Sequence, residues 1–201
     1  MPRLLIRCLV AVPLALITAT AGLTAAANEQ RPAKVDPVDL DLVGQVINSA
    51  ATSAQYGYVS QLDNVAGWPS ETAAPLTFFA DTTTSRVVNN GPLRIISRTG
   101  RLTIYSDPSA NGAFGDPDSF RDGTPVLTAT VRQQVILNTL TGAFTAHNVN
   151  TITSRSPFEL GDRQVLLGRI GGRFHTVISG QAATATPPSA YMAGYTFSTR
   201  R

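Results

Sequence analysis

TPVLTATVRQQVILNTLTGAFTAHNVNTITS, residues 124–154, is the stretch of sequence that decides the fold class. Apolar and polar residues alternate on both sides of Thr141–Gly142, and a period of two is typical of a half-buried β-strand. In the first half, one face carries the apolar residues Leu127, Ala129, Val131, Val135 and Leu137, and the other carries Thr128, Thr130, Arg132 and Gln134. The stretch predicts two long strands that pair in antiparallel fashion around the turn, with the apolar face in a core.

The chain after Gln55 repeats this pattern in shorter runs separated by clusters of Gly, Asn, Asp and Pro. Further strands are predicted within residues 56–62, 76–81, 84–88, 92–97, 101–106, 163–170, 173–180 and 191–198, with a hairpin turn at RTG (98–100) and a long loop over 107–123. Short strands between turn-forming residues are typical of antiparallel sandwiches and barrels. We predict a mainly β fold, an antiparallel β-barrel of about eight or nine strands.

Two of these runs, LTFFA (76–80) and PLRIIS (92–97), carry apolar residues on both faces. An antiparallel strand with one solvated face normally alternates, so a doubly apolar strand needs cover on both sides. We predict a core in the barrel lumen and a helix or a second subunit on the outside.

Residues 36–55, DPVDLDLVGQVINSAATSAQ, allow two interpretations. Asp36 can cap a helix, with Pro37 in its first turn. The alternative is a strand, because Val38 and Leu40 alternate with aspartates at a period of two. We predict a short helix here, and the strand remains the alternative.

Residues 1–27 have the order of a secretory signal peptide. Arg3 and Arg7 precede an apolar run that begins at Cys8, and small residues lead to a cleavage site after Ala27. The run is shorter than the ~20 residues of a membrane-spanning helix, so no stable membrane anchor is expected after cleavage. The protein is therefore predicted to be secreted and extracellular.

Cleavage would leave a flexible leader over residues 28–35 and a single barrel domain over 36–201. Cys8 leaves with the signal, so the mature chain would hold no cysteine and could form no disulfide. The net charge falls from +3 to +1, because Arg3 and Arg7 leave as well. The remaining arginines are scattered, so nucleic-acid binding is not predicted.

Metal and cofactor sites find little support in the sequence. The chain has two histidines, too few for a three-histidine site, and no phosphate-binding loop or dinucleotide fingerprint. The loop GDPDSFRDG (115–123) offers Asp116, Asp118 and Asp122 as hard oxygen ligands for calcium. Turn formation and capping explain the same aspartates, so no metal and no cofactor is predicted.

Polar residues on the strands form the candidate ligand site. The candidates are Arg94, Tyr105, Arg132, Gln134, His147 and His175, with Thr128 beside them. One interpretation places them on the outer, solvated face of an antiparallel sheet. The other places some of them in the barrel mouth, where an arginine would hold an anionic or carbonyl group and a tyrosine or histidine would exchange protons.

The segment FRDGTPVLTATVRQQVIL (120–137), together with the signal peptide and the long cysteine-free strands, resembles the small barrels of the allene-oxide-cyclase and dirigent type. The resemblance covers about residues 56–197 and concerns architecture. It implies a hydrophobic substrate in a barrel lumen, cyclisation or coupling of that substrate, and assembly as a trimer. No catalytic residue is transferred by it.

Three functions follow as hypotheses. The first is a secreted barrel that binds a hydrophobic small molecule or lipid in its lumen. The second is a cofactor-free cyclase or isomerase that works by confining its substrate, and the third is an oligomeric extracellular interaction protein without a small-molecule site. The first two require a lumen cavity of the ~300 Å³ or more that ligand pockets usually have.

Overall fold

A computed structural model describes residues 35–49, 51–63, 65–184 and 187–198 of the 201-residue chain. The predicted signal peptide, its cleavage site and residues 28–34 of the predicted leader lie outside these ranges. The strands are β1 (Val35–Asp36), β2 (Leu40–Asn48), β3 (Thr52–Leu62), β4 (Ala66–Gly67), β5 (Leu76–Asn90), β6 (Leu93–Ser106), β7 (Thr124–Asn138), β8 (Ala143–Arg155), β9 (Phe158–Leu160), β10 (Arg163–Leu167), β11 (Arg173–Ala182) and β12 (Ala190–Ser198). A single 3-10 turn, Pro117–Phe120, stands between β6 and β7.

Eight strands close into an antiparallel barrel in the order β2-β12-β11-β8-β7-β6-β5-β3, and β3 pairs back with β2. Every barrel strand therefore has a neighbour on both sides, although β5 extends past the end of β3 from Thr84 to Asn90, where it pairs with β6 alone. The predicted mainly β antiparallel barrel is therefore confirmed.

The two strands predicted from residues 124–154 are β7 and β8. They pair from Leu127–Arg155 to Leu137–Phe144, and the turn between them closes through the Gly142 amide, which donates to the Asn138 carbonyl at 2.8 Å. Gly142 has φ = +74°, a left-handed conformation that favours glycine. The predicted pairing about Thr141–Gly142 is confirmed.

The hairpin predicted at RTG (98–100) is wrong, because β6 runs unbroken through these residues. Gly100 allows β5 to approach β6 closely, because a Cβ atom at this position would lie 1.9 Å from the Asp81 carbonyl oxygen on β5. The hairpin turn lies earlier, at Gly91, which has φ = +56°. Inward-facing and outward-facing side chains therefore alternate along β6 from Leu93 onward, whereas a turn at RTG would have separated two strands with independent faces.

The helix predicted from Asp36 is also wrong. Residues Leu40–Asn48 form β2, and Thr52–Leu62 continue as β3. The period of two that starts at Val38 was the correct signal, because β2 inserts alternate residues into the lumen and pairs on both sides, with β12 and β3. Pairing on both edges outweighs the weak local preference for a helix cap.

The main hydrophobic core fills the lumen. Large side chains with almost no exposure point inward from several strands, among them Leu40, Leu76, Ile104, Leu127 and Phe174. The barrel end opposite the β5–β6 and β7–β8 turns is closed by a small sheet of β1, β10 and β9, whose residues Phe158, Val165 and Leu167 belong to the same core. The end with those two turns is called the hairpin end below.

The outer cover of the doubly apolar strand β5 comes from the chain's own loop, residues 107–123, where a helix or a second subunit was predicted. Phe120, fully buried, packs against Tyr56 of β3 with ring centroids 5.5 Å apart, and Phe114 lies 5.1 Å from Phe120. Phe79 joins this outer cluster and stacks on Tyr56 at 6.1 Å. For β5 the predicted apolar cover is present and comes from this loop; for PLRIIS (92–97) cover by a second subunit stays a prediction.

Candidate functional site

A layer of polar side chains crosses the lumen near the hairpin end, and Asn150 and Thr176 form a second buried polar pair deeper inside. We call the layer near the hairpin end the polar layer, and it consists of Asn48, Gln55, Arg98, Gln133 and Asn148. The strands β2, β3, β6, β7 and β8 each contribute one of these residues. All except Asn48 are at most 8% exposed. Polar groups this deep require hydrogen-bond partners, and the layer supplies them internally.

Gln133 is the centre of the layer. Its amide and that of Gln55 make two reciprocal hydrogen bonds, Nε2 to Oε1, of 3.1 and 3.2 Å. Because β3 and β7 are not neighbours in the barrel, this pair spans the lumen. The Gln133 amide nitrogen also donates to Asn148 Oδ1 at 3.0 Å. The pair therefore connects opposite walls and forms a polar floor above the filled half of the lumen.

Arg98 is the charged member of the layer. Its guanidinium donates from Nη2 to Asn48 Oδ1 at 3.1 Å, from Nε to Thr84 Oγ1 at 3.4 Å and from Nη1 to Gln133 Oε1 at 3.5 Å. Burial lowers the pKa of Arg98, and the nearby cation of Arg94 lowers it further. A guanidinium stays protonated in proteins, so a positive charge is held inside the lumen by neutral oxygens.

A cavity of about 80 Å³ lies on the hairpin-end side of the polar layer. Its floor includes Gln55, Arg98 and Gln133. Its walls are mostly aliphatic and aromatic and include Val46, Ile96, Val135, Phe144, Ile178 and Met192. The arrangement of apolar walls around a few converging polar groups is that of a small-molecule site.

The size of this cavity corrects the expectation of a wide lumen. Drug-sized ligands occupy pockets of ~300–1,000 Å³, several times the volume found here. In barrels of about eight strands the interior is just wide enough for side chains to fill, and that is the case below the polar layer. The lumen has space for a small group beside Arg98, and this space is too small to enclose a whole lipid.

The polar groups that line the cavity are one guanidinium and several neutral hydrogen-bonding groups. Arg98 is the only ionisable residue among those that line the cavity, and all of them lie in the described part of the chain. Hydrogen-bond donors and acceptors are supplied by the amides of Asn48, Gln55 and Gln133 and by Ser189. No carboxylate, histidine or tyrosine lines it, so the lining has no group suited to general acid-base catalysis near neutral pH.

The residues predicted from the sequence lie elsewhere, and none lines this cavity. Arg132, Gln134 and His147 are exposed and alternate with buried lumen residues, so they lie on the outer face of β7 and β8. His175 is half-buried on the outer face of β11. The structure thus places these four residues where the solvated-face interpretation put them.

Arg94 and Tyr105 complete the set. Arg94 shares the lumen face of β6 with Ile96 and Arg98, and it lies exposed at the rim of the hairpin end. Tyr105 packs against the outer aromatic cluster at the other end of the same strand. Of the six candidates, Arg94 alone is close to the cavity, and Tyr105 is remote from it.

The two histidines do meet, on the outside of the barrel. His147 Nε2 and His175 Nδ1 are 2.9 Å apart, and the rings stack with centroids 5.0 Å apart. Phe197 continues the stack on His175 at 5.2 Å. The pair results from strand pairing between β8 and β11, and it lies on a convex surface away from the lumen.

The sequence contained a signal for the residues that were missed. Gln133 has the same parity as Val131 and Val135, so it interrupts an apolar face, whereas Arg132 and Gln134 continue a polar one. Asn148 similarly shares the parity of Ala146 on β8. A polar residue inside an apolar alternation is more informative than a polar residue on the opposite face, because burial of a polar group requires a partner.

The aspartates of the loop 115–123 act as turn formers. Asp116 caps the 3-10 turn by accepting from the Asp118 amide at 3.2 Å, and Asp118 forms an ion pair with Arg121 at 2.6 Å. The Asp122 carboxylate accepts a hydrogen bond from the side-chain amide of Asn111. Across residues 35–49, 51–63, 65–184 and 187–198, no three His, Cys, Asp or Glu side chains are grouped to hold a metal ion. The same residues contain no helix long and apolar enough to cross a membrane.

Comparison with known proteins gives no relative: no protein-family description, no curated protein and no solved structure matches this chain.

Proposed function

We propose that this protein is a binding protein whose lumen takes up a small, largely apolar molecule at the hairpin end. The observation that carries the proposal is the cavity itself, in which Val46, Ile96, Phe144 and Ile178 surround a hydrogen-bonding floor. A site of this composition gains affinity from the apolar walls and orientation from the few polar groups.

Binding is better supported than catalysis. The resemblance to the allene-oxide-cyclase and dirigent barrels suggests a cyclase or isomerase as the alternative, and the closed antiparallel barrel agrees with that architecture. Confinement of a substrate requires a cavity that encloses it, and about 80 Å³ does not enclose a polycyclic or long-chain substrate. The cavity is also below the ~300 Å³ first required of the binding hypothesis, so that hypothesis is narrowed to a small ligand or to the end of a larger one.

The oligomeric interaction protein keeps only part of its original support. It was based on two strands with two apolar faces; the loop 107–123 covers the outer face of β5 within one chain, whereas Leu93 on β6 and its neighbours Val87 and Ile136 stay exposed. Homo-oligomerisation stays a prediction, and light scattering on the mature chain tests it: a clean monomer would count against it.

Export rests on the pattern of residues 1–27. A basic start, an apolar run and a small-residue cleavage site support secretion with cleavage after Ala27. The test is the N-terminal residue of the protein recovered from the culture medium of the native host. Asn28 at the N-terminus agrees with the proposal, and an intact Met1 in a cell-bound protein contradicts it.

Binding is tested by filling the cavity. Ala190 lines the cavity from β12, and Ala193 lies exposed on the outer face of the same strand. With 1-pentanol as the probe, we expect calorimetry or ligand-observed NMR to detect binding to the wild type and to Ala193→Leu. Binding should be lost in Ala190→Leu, because the larger side chain occupies the site. Equal binding to all three proteins would refute the lumen site.

A further inference from the structure

We infer that the lumen site is selective for a small monoanion with an apolar tail, a short-chain carboxylate whose head group binds Arg98. The inference rests on the proposed function and specifies the class of its ligand. It is carried by three properties of the site: a buried cation without an anionic partner, unused donors on that cation, and the volume of the cavity.

The first property is the charge of Arg98. The side chain is 8% exposed, and each of its hydrogen bonds ends on a neutral oxygen of Asn48, Thr84 or Gln133. The ion pairs found in the described ranges are Arg121–Asp118 and Arg163–Asp36, both far from it in the fold. Buried charges are normally paired, since an unpaired one carries a large desolvation cost. An anion in the cavity would provide the missing partner.

The second property is donor geometry. A guanidinium has five N–H groups, and the hydrogen bonds of Arg98 to described residues use three of them, one on each nitrogen. One N–H on Nη1 and one on Nη2 are left over, and Arg98 lines the cavity. Two N–H groups of one guanidinium match the two oxygens of a carboxylate. The neutral amides of Gln55 and Gln133 lie beside this fork and add no repulsion.

Arg94 strengthens the preference for an anion. It lies on the same face of β6 as Arg98, four residues nearer the hairpin turn, at the rim of the cavity. Its charge contributes to the lowered pKa of Arg98. Two like charges on the route into a low-dielectric site create a positive potential that attracts anions and repels cations.

The third property limits the size of the ligand. A cavity of about 150 Å³ holds a benzene ring, so about 80 Å³ has room for roughly three or four non-hydrogen atoms. A carboxylate group and the first carbon of its tail fit this space, and the rest of a short tail would lie against Val135 and Ile178 toward the rim. A long acyl chain would extend past the rim into water, so affinity should stop rising once the tail leaves the cavity.

The test compares pentanoate with pentanamide, which has the same size and no charge, by calorimetry on the folded mature chain at low salt. We expect pentanoate to bind the wild type at least tenfold more tightly, because charge-assisted hydrogen bonds are about twice as strong as neutral ones. Arg98→Gln should remove this preference and retain pentanamide binding. The control is Arg101→Gln, an exposed arginine on the same strand, which should keep the preference.

The outcomes separate the two proposals. Equal affinity of the wild type for both compounds would overturn the anion inference and leave the lumen site intact, and binding of neither compound nor of 1-pentanol would refute the site itself. Retention of the tenfold preference in Arg98→Gln would also overturn the inference. If that variant does not fold, the wild-type comparison decides alone, and Arg98→Lys, which keeps the charge without the fork, should show a smaller preference for pentanoate.

Discussion

Replacement of Gln133 by leucine tests the structural role of the polar layer. Gln133 is 2% exposed and supplies hydrogen bonds to Gln55 and Asn148, which are 4% and 5% exposed. In Gln133→Leu, three buried amide atoms lose the partners they have in the native protein, namely Nε2 and Oε1 of Gln55 and Oδ1 of Asn148, and Arg98 Nη1 loses its longer bond of 3.5 Å. The leucine is close in size to the glutamine, so the change removes hydrogen bonds without opening a cavity.

The size of the effect follows from these three atoms. A buried polar atom left without a partner costs about 1–3 kcal/mol, so the lower limit for three atoms is about 3 kcal/mol. Greater burial of apolar surface by leucine offsets about 1 kcal/mol. We therefore expect the free energy of unfolding to fall by at least about 2 kcal/mol, a large part of the 5–15 kcal/mol typical of a domain.

The assay is urea denaturation followed by circular dichroism, with Gln134→Leu as the matched control. Gln134 is the next residue on β7, and it is exposed on the outer face, so its replacement should change the free energy of unfolding by less than about 0.5 kcal/mol. The double variant Gln55→Leu/Gln133→Leu should lose less than the two single losses combined, because both partners of the lumen-spanning pair are then apolar. A loss in Gln133→Leu as small as in Gln134→Leu would refute the role assigned to the layer.

Three further predictions concern the barrel wall and its cover. Gly100→Ala should lower the free energy of unfolding by more than about 2 kcal/mol, because a Cβ atom would lie 1.9 Å from a carbonyl oxygen of the neighbouring strand. The control is Gly115→Ala, where a Cβ atom would have no atom within 4 Å, and it should be nearly neutral in the same denaturation assay. Phe120→Ala should lower the free energy of unfolding by about 3–5 kcal/mol, because the ring is fully buried. Phe197 is 41% exposed, so Phe197→Ala should lower it by less than about 1 kcal/mol. Similar losses for the two variants would show that loop 107–123 does not form a core. Burial raises the pKa of the Tyr56 phenol, so its contribution to stability is complete below the unfolded value of about 10 and is lost as the pH rises through the folded pKa. Stability should therefore fall above about pH 10, and less steeply in Tyr56→Phe; identical alkaline profiles would contradict the pKa shift.

Alternation along single strands was enough to predict β7 and β8 and the turn between them. It failed at 98–100, where a glycine between a polar and a charged residue predicts a turn. That glycine is there because β5 approaches closely, a contact with a residue 19 positions away in sequence, Asp81, that no local pattern contains. Because the predicted turn ended the strand before Arg98, Arg98 was not recognised as a lumen residue of β6.

For the candidate site, too, local patterns predicted some features correctly and missed those that depend on distant residues. Sequence reasoning selected polar residues on polar faces, which antiparallel strands normally expose, and the structure exposes Arg132, Gln134 and His147. The informative residues were the polar exceptions on apolar faces, Gln133 and Asn148. Even these exceptions do not identify a site by themselves, because their partner Gln55 is 78 residues away from Gln133 and is brought opposite it only by barrel closure.

The amino-acid sequence by itself determined the local features of this protein: strand periodicity, the β7–β8 turn and the mainly β class. These depend on side-chain pattern and backbone preference over a few residues, and they can be read from neighbouring positions. Tertiary structure alone decided which face of each strand became the inside, that the lumen is filled below Gln133, and that a charged guanidinium lies in a small apolar cavity. Closure of eight strands fixes the width of the lumen and brings distant residues together, and these are properties of the whole ring of strands.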